Sequence, residues 1–152
     1  MEIRRAKKED IEQIQSVIRE SILATHKDLY PEEDMEETFN NYTTEKLKKY
    51  ITNADYFVAE ENGKIVGCVL AKEDKMRSLY VLPSEMGRSI GRKLAEKAEL
   101  CIRDNGYKRI WLWSSLIAHD FYKHLGYKDV KDIPNNDGLV LHIEMEKYLD
   151  SI

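Results

Sequence analysis

A strand, a glycine-containing loop and a helix follow one another between Leu79 and Leu94, and this arrangement can bind phosphate. The loop places Gly87 and Gly91 on either side of Ser89, directly ahead of a predicted helix. The first turn of a helix has backbone N–H groups without intrahelical partners and carries the positive end of the helix dipole, and both favour a bound anion. The segment therefore predicts a site for a phosphorylated ligand.

Three basic residues add positive charge to this corner of an otherwise acidic chain. Arg88, Arg92 and Lys93 lie in or directly after the loop, with Glu85 nearby as an opposing charge. Such a cluster suits a polyanionic ligand. An ordinary turn with solvated basic side chains is the alternative interpretation of the same residues. The sequence contains neither GxxxxGK[S/T] nor GxGxxG, which excludes the two common nucleotide-binding loops.

The composition limits the kinds of protein that this chain can be. Of its 152 residues 42% are hydrophobic, enough for the core of one domain spanning 1–152. Its 28 acidic residues exceed its 24 basic ones, and the net charge of -4 disfavours a general nucleic-acid surface. No stretch approaches the roughly 20 apolar residues of a membrane span, and no signal-type segment opens the chain, so we expect a cytoplasmic protein.

The two cysteines give no sign of a metal centre or of a disulfide framework. Cys68 and Cys101 lie far apart in the sequence, without a CxxC motif or a cluster of cysteine and histidine residues. We therefore expect no metal ion in the protein. Both thiols are expected to be small residues of the core.

The first half of the chain predicts two amphipathic helices separated by an acidic segment. Residues 3–6 predict a short strand, and helical spacing follows at Ile11, Ile14, Ile18 and Ile22. The acidic stretch 26–40 predicts a loop with a short helix. Thr43 is the expected N-cap of the next helix, which ends near Asn53.

The second half of the chain changes to strands and then alternates. Runs of β-branched, aromatic and aliphatic residues predict an antiparallel meander over 55–60, 65–71 and 76–82. A helix over 89–105 and a strand over 110–113 make a parallel crossover the natural connection. A short helix over 118–125 precedes a half-buried strand over 139–146. The order of elements predicts an α+β domain with a mixed sheet.

Two motifs in this half stand in a recognisable order and spacing. Leu79-Tyr-Val-Leu-Pro83 is followed by Met86-Gly-Arg-Ser-Ile-Gly91, and Ser115-Leu-Ile-Ala-His-Asp-Phe-Tyr-Lys-His-Leu-Gly-Tyr127 comes downstream. They resemble the acyl-CoA signature (core Gln/Arg-x-x-Gly-x-Gly/Ala) and the Asn/Ser-x-x-Ala-x-x-Phe-Tyr-x-x-x-Gly-Phe/Tyr motif of the GNAT superfamily of acyl-CoA-dependent N-acyltransferases. Met86 departs from the usual Gln or Arg, and Ser89 from the usual middle Gly.

This resemblance, which covers nearly the whole chain, implies both a fold and a cofactor. The fold is a mixed sheet of about seven strands, splayed between its two central parallel strands and flanked by about four helices. The cofactor is acetyl-CoA, with its pantetheine in the splay against the backbone of 79–81. Ser89 is expected to cap the helix after the loop and to offer its hydroxyl to a phosphate. The implied cofactor-binding residues are Leu79, Tyr80, Val81, Met86, Gly87, Arg88, Ser89, Ile90, Gly91, Arg92 and Ser115.

The resemblance also implies a mechanism in which an acceptor amine attacks the thioester directly. Tyr122 matches the family position that protonates the departing thiolate. A phenol with a pKa of about 10 is protonated at neutral pH and can donate to a thiolate whose thiol has a pKa of about 8.5. The alternative is a packing role beside Phe121, which we assign to the core. Ser115 is expected to cap the helix that carries Tyr122.

A base must also remove a proton from the amine, because an amine with a pKa of about 10.4 is almost fully protonated at pH 7. The sequence does not single one out. Four residues on or near strands that can face the cleft are candidates, although a charged residue on a strand is more often merely solvated: Glu73, Asp74, His142 and Glu144. His119 and His124 are expected to be surface residues.

The acidic segment 28–37 falls where this family places its variable acceptor-binding helices. It predicts attraction of a cationic acceptor such as a polyamine, an amino acid, an amino sugar or a peptide amine, and a solvated loop is an equal alternative. His26, Tyr30 and Tyr42 are weaker candidates for the same pocket. Whether the donor group is acetyl or a longer acyl group stays open.

Two questions about the whole protein also stay open. A domain that binds acetyl-CoA without transferring its acetyl group, acting as a sensor or interaction module, is the alternative function, motivated by Met86 and Ser89. We expect neither a nucleic-acid nor a membrane partner. Trp111, Trp113 and the apolar last strand fit a homodimer interface as well as a core.

Overall fold

Seven strands form one mixed sheet in the computed structural model, which describes residues 1–26 and 28–150. Three residues of the predicted 1–152 domain, 27, 151 and 152, lie outside the described residues. The spatial order of the strands is β1-β2-β3-β4-β5-β7-β6. Their bounds are β1 Glu2–Arg5, β2 Asp55–Glu61, β3 Lys64–Lys72, β4 Lys75–Val81, β5 Arg109–Ser115, β6 Lys128–Pro134 and β7 Val140–Tyr148.

Five α-helices accompany the sheet in the described part of the chain, where about four were expected. They are α1 Ile11–His26, α2 Glu32–Phe39, α3 Thr44–Asn53, α4 Ile90–Asp104 and α5 His119–His124. The predicted short helix of the acidic segment is confirmed as α2. The predicted N-cap is also confirmed, since the Thr43 hydroxyl accepts a hydrogen bond from the backbone N–H of Lys46 at 3.3 Å.

Short-range polar contacts fix the start of α1. The carboxylate of Asp10 accepts bonds from both Arg4 guanidinium nitrogens at 2.8 and 3.0 Å and from the Lys7 backbone N–H at 2.8 Å. Arg4 also reaches Glu60 of β2 at 3.1 Å. The guanidinium lowers the pKa of Asp10 by hydrogen bonding to its charged form. This network joins β1, the first turn before α1 and β2.

The centre of the sheet is covered on both faces. β3 is buried at every position from Ile65 to Ala71, the pattern of a strand without a solvent face. Both α1 and α4 contact β3 and β4. Gly67 allows the close approach of α4, because a Cβ there would stand 2.8 Å from Leu94 Cδ1 and 3.1 Å from the Tyr80 carbonyl oxygen.

The meander and the final strands agree with expectation, apart from one strand that the sequence pattern did not show. β2, β3 and β4 pair antiparallel in sequence order, as predicted. β6 is an edge strand, exposed at every position except Ile133, which is half-buried. Since no apolar face alternates along it, hydrophobic periodicity had nothing to detect.

The parallel pair at the centre of the sheet is joined at one point. Lys75 of β4 and Trp111 of β5 are its registered partners, and the Trp111 backbone N–H donates to the Asp74 carbonyl oxygen at 3.1 Å. Beyond this point β4 continues to Val81 and β5 continues to Ser115, but the two strands do not pair with each other. The splay implied by the resemblance is therefore present, and it leaves two backbone edges facing an open space.

No helix in the described residues is long and apolar enough to cross a membrane. Both cysteines are free thiols. Cys68 is fully buried in the core, and burial raises its pKa to about 12. Cys101 is partly buried against the core, so the two thiols contribute packing, as expected.

Candidate active site

A β-bulge interrupts β4 beside the splay. Between the pairs Cys68/Tyr80 and Leu70/Arg77, two residues of β4 oppose one residue of β3. Ser78 lies in the bulge with a φ of +58°, a left-handed conformation that a non-glycine residue keeps only where its surroundings hold it. A bulge bends its strand and removes backbone groups from the ladder. The distortion therefore lies on the strand expected to contact pantetheine.

A cavity of about 1010 Å³ occupies the opening between β4 and β5. One end is lined by α1, α2 and the β6–β7 loop, and the other by the loop before α4 and by α5. All but one of the residues predicted for the site line this cavity: Leu79, Tyr80, Val81, Met86, Gly87, Ser89, Ile90, Gly91, Arg92, Ser115 and Tyr122. After the positions expected for an acyl donor and an amine, we name the end at α4 and α5 the donor end and the end at α1 and α2 the acceptor end.

The loop before α4 offers the donor end its backbone groups, and the first turn of α4 adds one guanidinium, that of Arg92. Ser89 occupies the N-cap position of this 15-residue helix, but its φ is +65° and its side chain makes no capping hydrogen bond. The expected cap is therefore wrong, since a capping hydroxyl needs an extended backbone at that residue. Met86 is 48% exposed and lines the cavity with an apolar side chain.

Arg88 is the predicted site residue whose side chain turns elsewhere. It does not line the cavity, and its guanidinium forms ion pairs with Glu85 and, at 2.8 Å, with Glu61 at the end of β2. The positive charge of Arg88, which was expected to attract a bound polyanion, is thus paired with two carboxylates of the protein. Of the basic residues in the motif, Arg92 is the one whose side chain lines the cavity.

Gly91 lets α4 approach α5 closely. A Cβ at this position would lie 3.4 Å from two ring carbons of Phe121 and 3.7 Å from Val81 Cγ2. Phe121 packs against the core, as predicted, and also lines the cavity. The final glycine of the motif therefore determines how near the loop, β4 and α5 stand to one another.

Tyr122 lies on α5 and lines the cavity. It is 8% exposed and packs edge-on against Phe121 and Tyr127, with ring centroids 5.1 and 5.6 Å away. Within the described part of the chain its hydroxyl has no hydrogen-bond partner. Burial, with a smaller effect from Tyr42, raises the pKa of the phenol above its ordinary value. The hydroxyl is therefore protonated at neutral pH and free to donate.

A group of hydroxyls meets at the bulge. The Tyr42 hydroxyl lies 2.8 Å from Ser78 Oγ and 3.3 Å from the Tyr80 hydroxyl. Burial raises the pKa values of both phenols. Sequence reasoning gave Tyr42 only a minor role and missed Ser78, because a serine inside an apolar strand carries no pattern that signals a bulge.

Two further hydroxyls hold the turn between β5 and α5. Ser115 Oγ accepts a bond from the backbone N–H of Ala118 at 3.2 Å, so it stabilises the turn ahead of α5. The Tyr30 hydroxyl accepts from the Leu116 N–H at 2.8 Å and donates to the Leu141 carbonyl oxygen at 3.0 Å. The expectation that Ser115 caps α5 is therefore wrong, because Ala118 is the N-cap residue and no side chain caps the helix; Ser115 stabilises the preceding turn instead.

The acceptor end of the cavity carries most of its negative charge. Four carboxylate residues line it, three on α2 and one in the β6–β7 loop: Glu33, Asp34, Glu37 and Asp137. Asn135 donates to the Asp34 carboxylate at 3.4 Å, which ties α2 to that loop. The opposing cations are Lys75 and Arg77 of β4. Part of the acidic segment therefore forms the wall of the cavity.

The structure separates the candidate bases. Asp74 accepts a bond from the Trp111 indole at 2.9 Å, and Glu144 accepts one from the Trp113 indole at 3.2 Å. Neither carboxylate lines the cavity, and Glu73 does not line it either. His142 does, on β7 at the acceptor end.

The other two histidines lie outside the cavity, and the two tryptophans of β5 contact a lysine side chain. His119 pairs with Asp129, and His124 Nδ1–H donates to the Asp120 carbonyl oxygen at 2.7 Å, both away from the cavity, as expected. The ammonium of Lys75 lies over the rings of Trp111 and Trp113, 4.4 and 4.8 Å from their centroids.

In the described residues no group of three or more His, Cys, Asp or Glu side chains is arranged to hold a metal ion. The cavity lining supplies hydroxyls, two imidazoles, carboxylates and a helix N-terminus. Such a set can bind a phosphorylated cofactor at one end and a cation at the other, and can move protons between them.

Comparison with known proteins matches this geometry. Residues 12–149 match the family described as the acetyltransferase (GNAT) domain. The chain is 33% identical over 95 residues to an uncharacterised N-acetyltransferase of Chlorobaculum tepidum, a match that spans 56% of this chain and 60% of that protein. It is 28% identical to the spermidine N(1)-acetyltransferase of Thermoplasma acidophilum, across 99% of both chains.

Solved structures show the same fold. The PaiA N-acetyltransferase of Thermoplasma acidophilum, determined in complex with coenzyme A, superimposes with a TM-score of 0.84 at 25% identity, covering 97% of this chain and 98% of that one. A GCN5-related N-acetyltransferase of Rhodopseudomonas palustris gives a TM-score of 0.87 at 24% identity, covering 97% and 95%.

Proposed function

Because the chain belongs to the GNAT family of acetyltransferases, we propose that it transfers the acetyl group of acetyl-CoA to a primary amine of a small molecule or peptide. Membership in that family makes it an acyltransferase. The observation that carries the proposal is the splay between β4 and β5, which opens a cavity from a helix N-terminus to a carboxylate-lined end. This geometry favours transfer over the alternative of a sensor that only binds the cofactor.

The donor end supports binding of acetyl-CoA in the way that the motifs imply. The backbone edge of 79–81 pairs with β3 on one side and faces the cavity on the other. It is suited to hydrogen-bond the amides of pantetheine. The N-terminus of α4, the loop 87–91 and Arg92 would hold the phosphates. We keep the backbone of Arg88 in this set and leave out its guanidinium.

The reaction proposed for this cavity is direct attack of the amine on the thioester carbon. The C–N bond forms, the tetrahedral intermediate expels coenzyme A as its thiolate, and Tyr122 donates a proton or hydrogen bond to the developing charge. The raised pKa of the phenol keeps its proton available at neutral pH. Tyr122 lines the same cavity as Gly91 and Val81, and its neighbour Phe121 lies next to Gly91.

The acceptor end supports a cationic acceptor. Carboxylates of α2 and Asp137 line it, and opposite charge raises both the local concentration and the affinity of an amine-rich ligand. A relative that aligns along the whole chain is named for spermidine. Among polyamines, amino acids, amino sugars and peptides, we therefore rank polyamines first. That the chain forms a single domain stays a prediction. So does a homodimer whose interface would include Trp111, Trp113 and the last strand, and size-exclusion chromatography would test it.

The test is release of free thiol from acetyl-CoA in the presence of polyamines, amino acids, aminoglycosides and peptides, with wild type and Tyr122→Phe compared. We expect turnover on one class, reduced about 10²-fold or more in the variant at unchanged cofactor affinity. Tyr107→Phe, an exposed phenol, is the matched control. Binding of acetyl-CoA without turnover on any amine would favour the sensor, and absence of binding would reject the proposal.

A further inference from the structure

Two partly buried imidazoles line the acceptor end of the cavity. His26 ends α1, and His142 lies on β7. The ring of Tyr30 stands between them, stacked on His26 at 4.5 Å and 6.3 Å from His142. On its other side His142 contacts Trp113, with ring centroids 6.3 Å apart. The register of β5 and β7 sets His142 opposite Ser115, at the cavity wall where the splay is open.

His26 is held as a hydrogen-bond donor to its own helix. Its Nδ1 lies 2.6 Å from the Thr25 hydroxyl, and that hydroxyl donates to the Ser21 carbonyl oxygen at 2.6 Å. A hydroxyl has one proton, so the imidazole must supply the proton of the second contact. Burial and the neighbouring His142 lower the pKa of His26 to about 4. An imidazole so weakly basic is poorly suited to accept a proton near pH 7.

His142 differs from His26 in what touches it. In the described residues its imidazole is held by the two aromatic contacts and takes part in no hydrogen bond, which leaves a nitrogen lone pair available to the cavity. Burial lowers the pKa of His142, Asp34 of α2 raises it, and Lys75 of β4 lowers it. The ring is therefore neutral at pH 7.

The other groups around His142 do not compete for this role. His26 of α1 is neutral at pH 7, and the phenol of Tyr30 is committed to two backbone bonds. On β7 itself, the Glu144 carboxylate accepts from the Trp113 indole. Asp34 remains as the charge that stabilises an imidazolium once it forms.

We propose that His142 is the catalytic base that accepts a proton from the acceptor amine as it attacks. The inference rests on the proposed function and assigns the step that it left without a residue. The ammonium loses one proton to His142 and forms the C–N bond, the C–S bond then breaks, and the second nitrogen proton reaches the thiolate through Tyr122. His142 returns its proton to solvent. Ammonium and thioester thus yield amide, thiol and one proton.

The kinetic test compares His142→Gln with wild type on an amine that the wild type acetylates, from pH 5.5 to 9. We expect kcat to fall about 10²-fold or more at pH 7, the KM for acetyl-CoA to stay within about 2-fold, and added imidazole to restore rate in His142→Ala. His124→Gln, on the far surface, should match wild type. A His142→Gln enzyme within about 3-fold of wild type, or a His142→Ala enzyme whose rate imidazole does not restore, would overturn the assignment.

A second measurement does not depend on turnover, so it separates this assignment from the proposed function. In protein carrying ¹³C-labelled histidine, the His142 signal is assigned by its loss in His142→Gln and then titrated. We expect a pKa below 6.5 and a shift of this signal when spermidine binds. A His142 that titrates above pH 7, or that does not respond to any bound amine, would overturn the proposal even if the protein is inactive on the whole panel.

Discussion

The hydroxyl of Tyr42 lies 2.8 Å from Ser78 Oγ, which ties the helical turn before α3 to the bulge of β4. Ser78 is held there with a left-handed φ of +58°. The contact therefore joins a segment of the acceptor side to the strand that we propose contacts the cofactor. This contact links the segment between α2 and α3 to the strand at the edge of the splay.

Removal of this hydroxyl should loosen the bulge. In Tyr42→Phe the Ser78 hydroxyl loses a buried partner, so we expect the free energy of unfolding to fall by about 1–2 kcal/mol in urea titrations. We also expect the substitution to raise the KM for the acceptor more than it raises the KM for acetyl-CoA. An unchanged urea midpoint would show that the Tyr42 contact does not stabilise the fold.

Arg92 and Arg88 provide a matched pair for the phosphate-binding proposal. Arg92 lines the cavity, whereas the Arg88 guanidinium pairs with Glu61 and Glu85. Loss of a charge-assisted hydrogen bond costs about 1.5–3 kcal/mol, so Arg92→Gln should weaken binding of coenzyme A by roughly 10-fold or more. Arg88→Gln should stay within about 2-fold of wild type in titration calorimetry. The reverse order would place the phosphates against Arg88.

Gly67 tests the packing of α4 on the sheet separately from the chemistry. An added Cβ would meet the Tyr80 carbonyl oxygen at 3.1 Å, and backbone gives way less easily than the end of the Leu94 side chain. We expect Gly67→Ala to lower the free energy of unfolding by about 1–3 kcal/mol. Thermal unfolding followed by circular dichroism measures this. Wild-type stability would mean that the α4 interface shifts without cost.

The network around Asp10 predicts how stability depends on pH. Arg4 holds the pKa of Asp10 below its ordinary value, so the stabilisation is complete above the unfolded pKa of about 3.9 and is lost as the pH falls through the folded value. Asp10→Asn should therefore cost about 1–3 kcal/mol at pH 7 and progressively less below pH 4. A difference between wild type and variant that is equal at pH 7 and pH 3 would contradict this account.

Much of this fold was predictable from the sequence, because α1, α4 and the strands β2 to β4 bury regular apolar patterns. β6 was not, since an edge strand with polar residues on both faces has no period to detect. The side-chain direction of Arg88 also lay beyond the sequence, because its carboxylate partner Glu61 stands on another hairpin.

The candidate site also contains residues that the sequence predicted and residues that it did not. All the predicted site residues except Arg88, Tyr122 among them, line one cavity, as the resemblance implied. Ser78 was missed, because a bulge depends on the register of two strands. His142 stood among four equal candidate bases until the structure placed it in the cavity wall, and Asp74 and Glu144 on indole N–H groups.

The central claim is acetyl transfer from acetyl-CoA to an amine in the cavity between β4 and β5. Its most direct test is mass spectrometry of spermidine incubated with acetyl-CoA and either wild-type protein or Tyr122→Phe, with released coenzyme A counted in the same samples. We expect one acetyl group on the polyamine for each coenzyme A released by the wild type, and a yield at least about 10²-fold lower with the variant. Equal yields from both proteins would contradict the role of Tyr122, and absence of any acetylated amine across the full panel would contradict the claim itself.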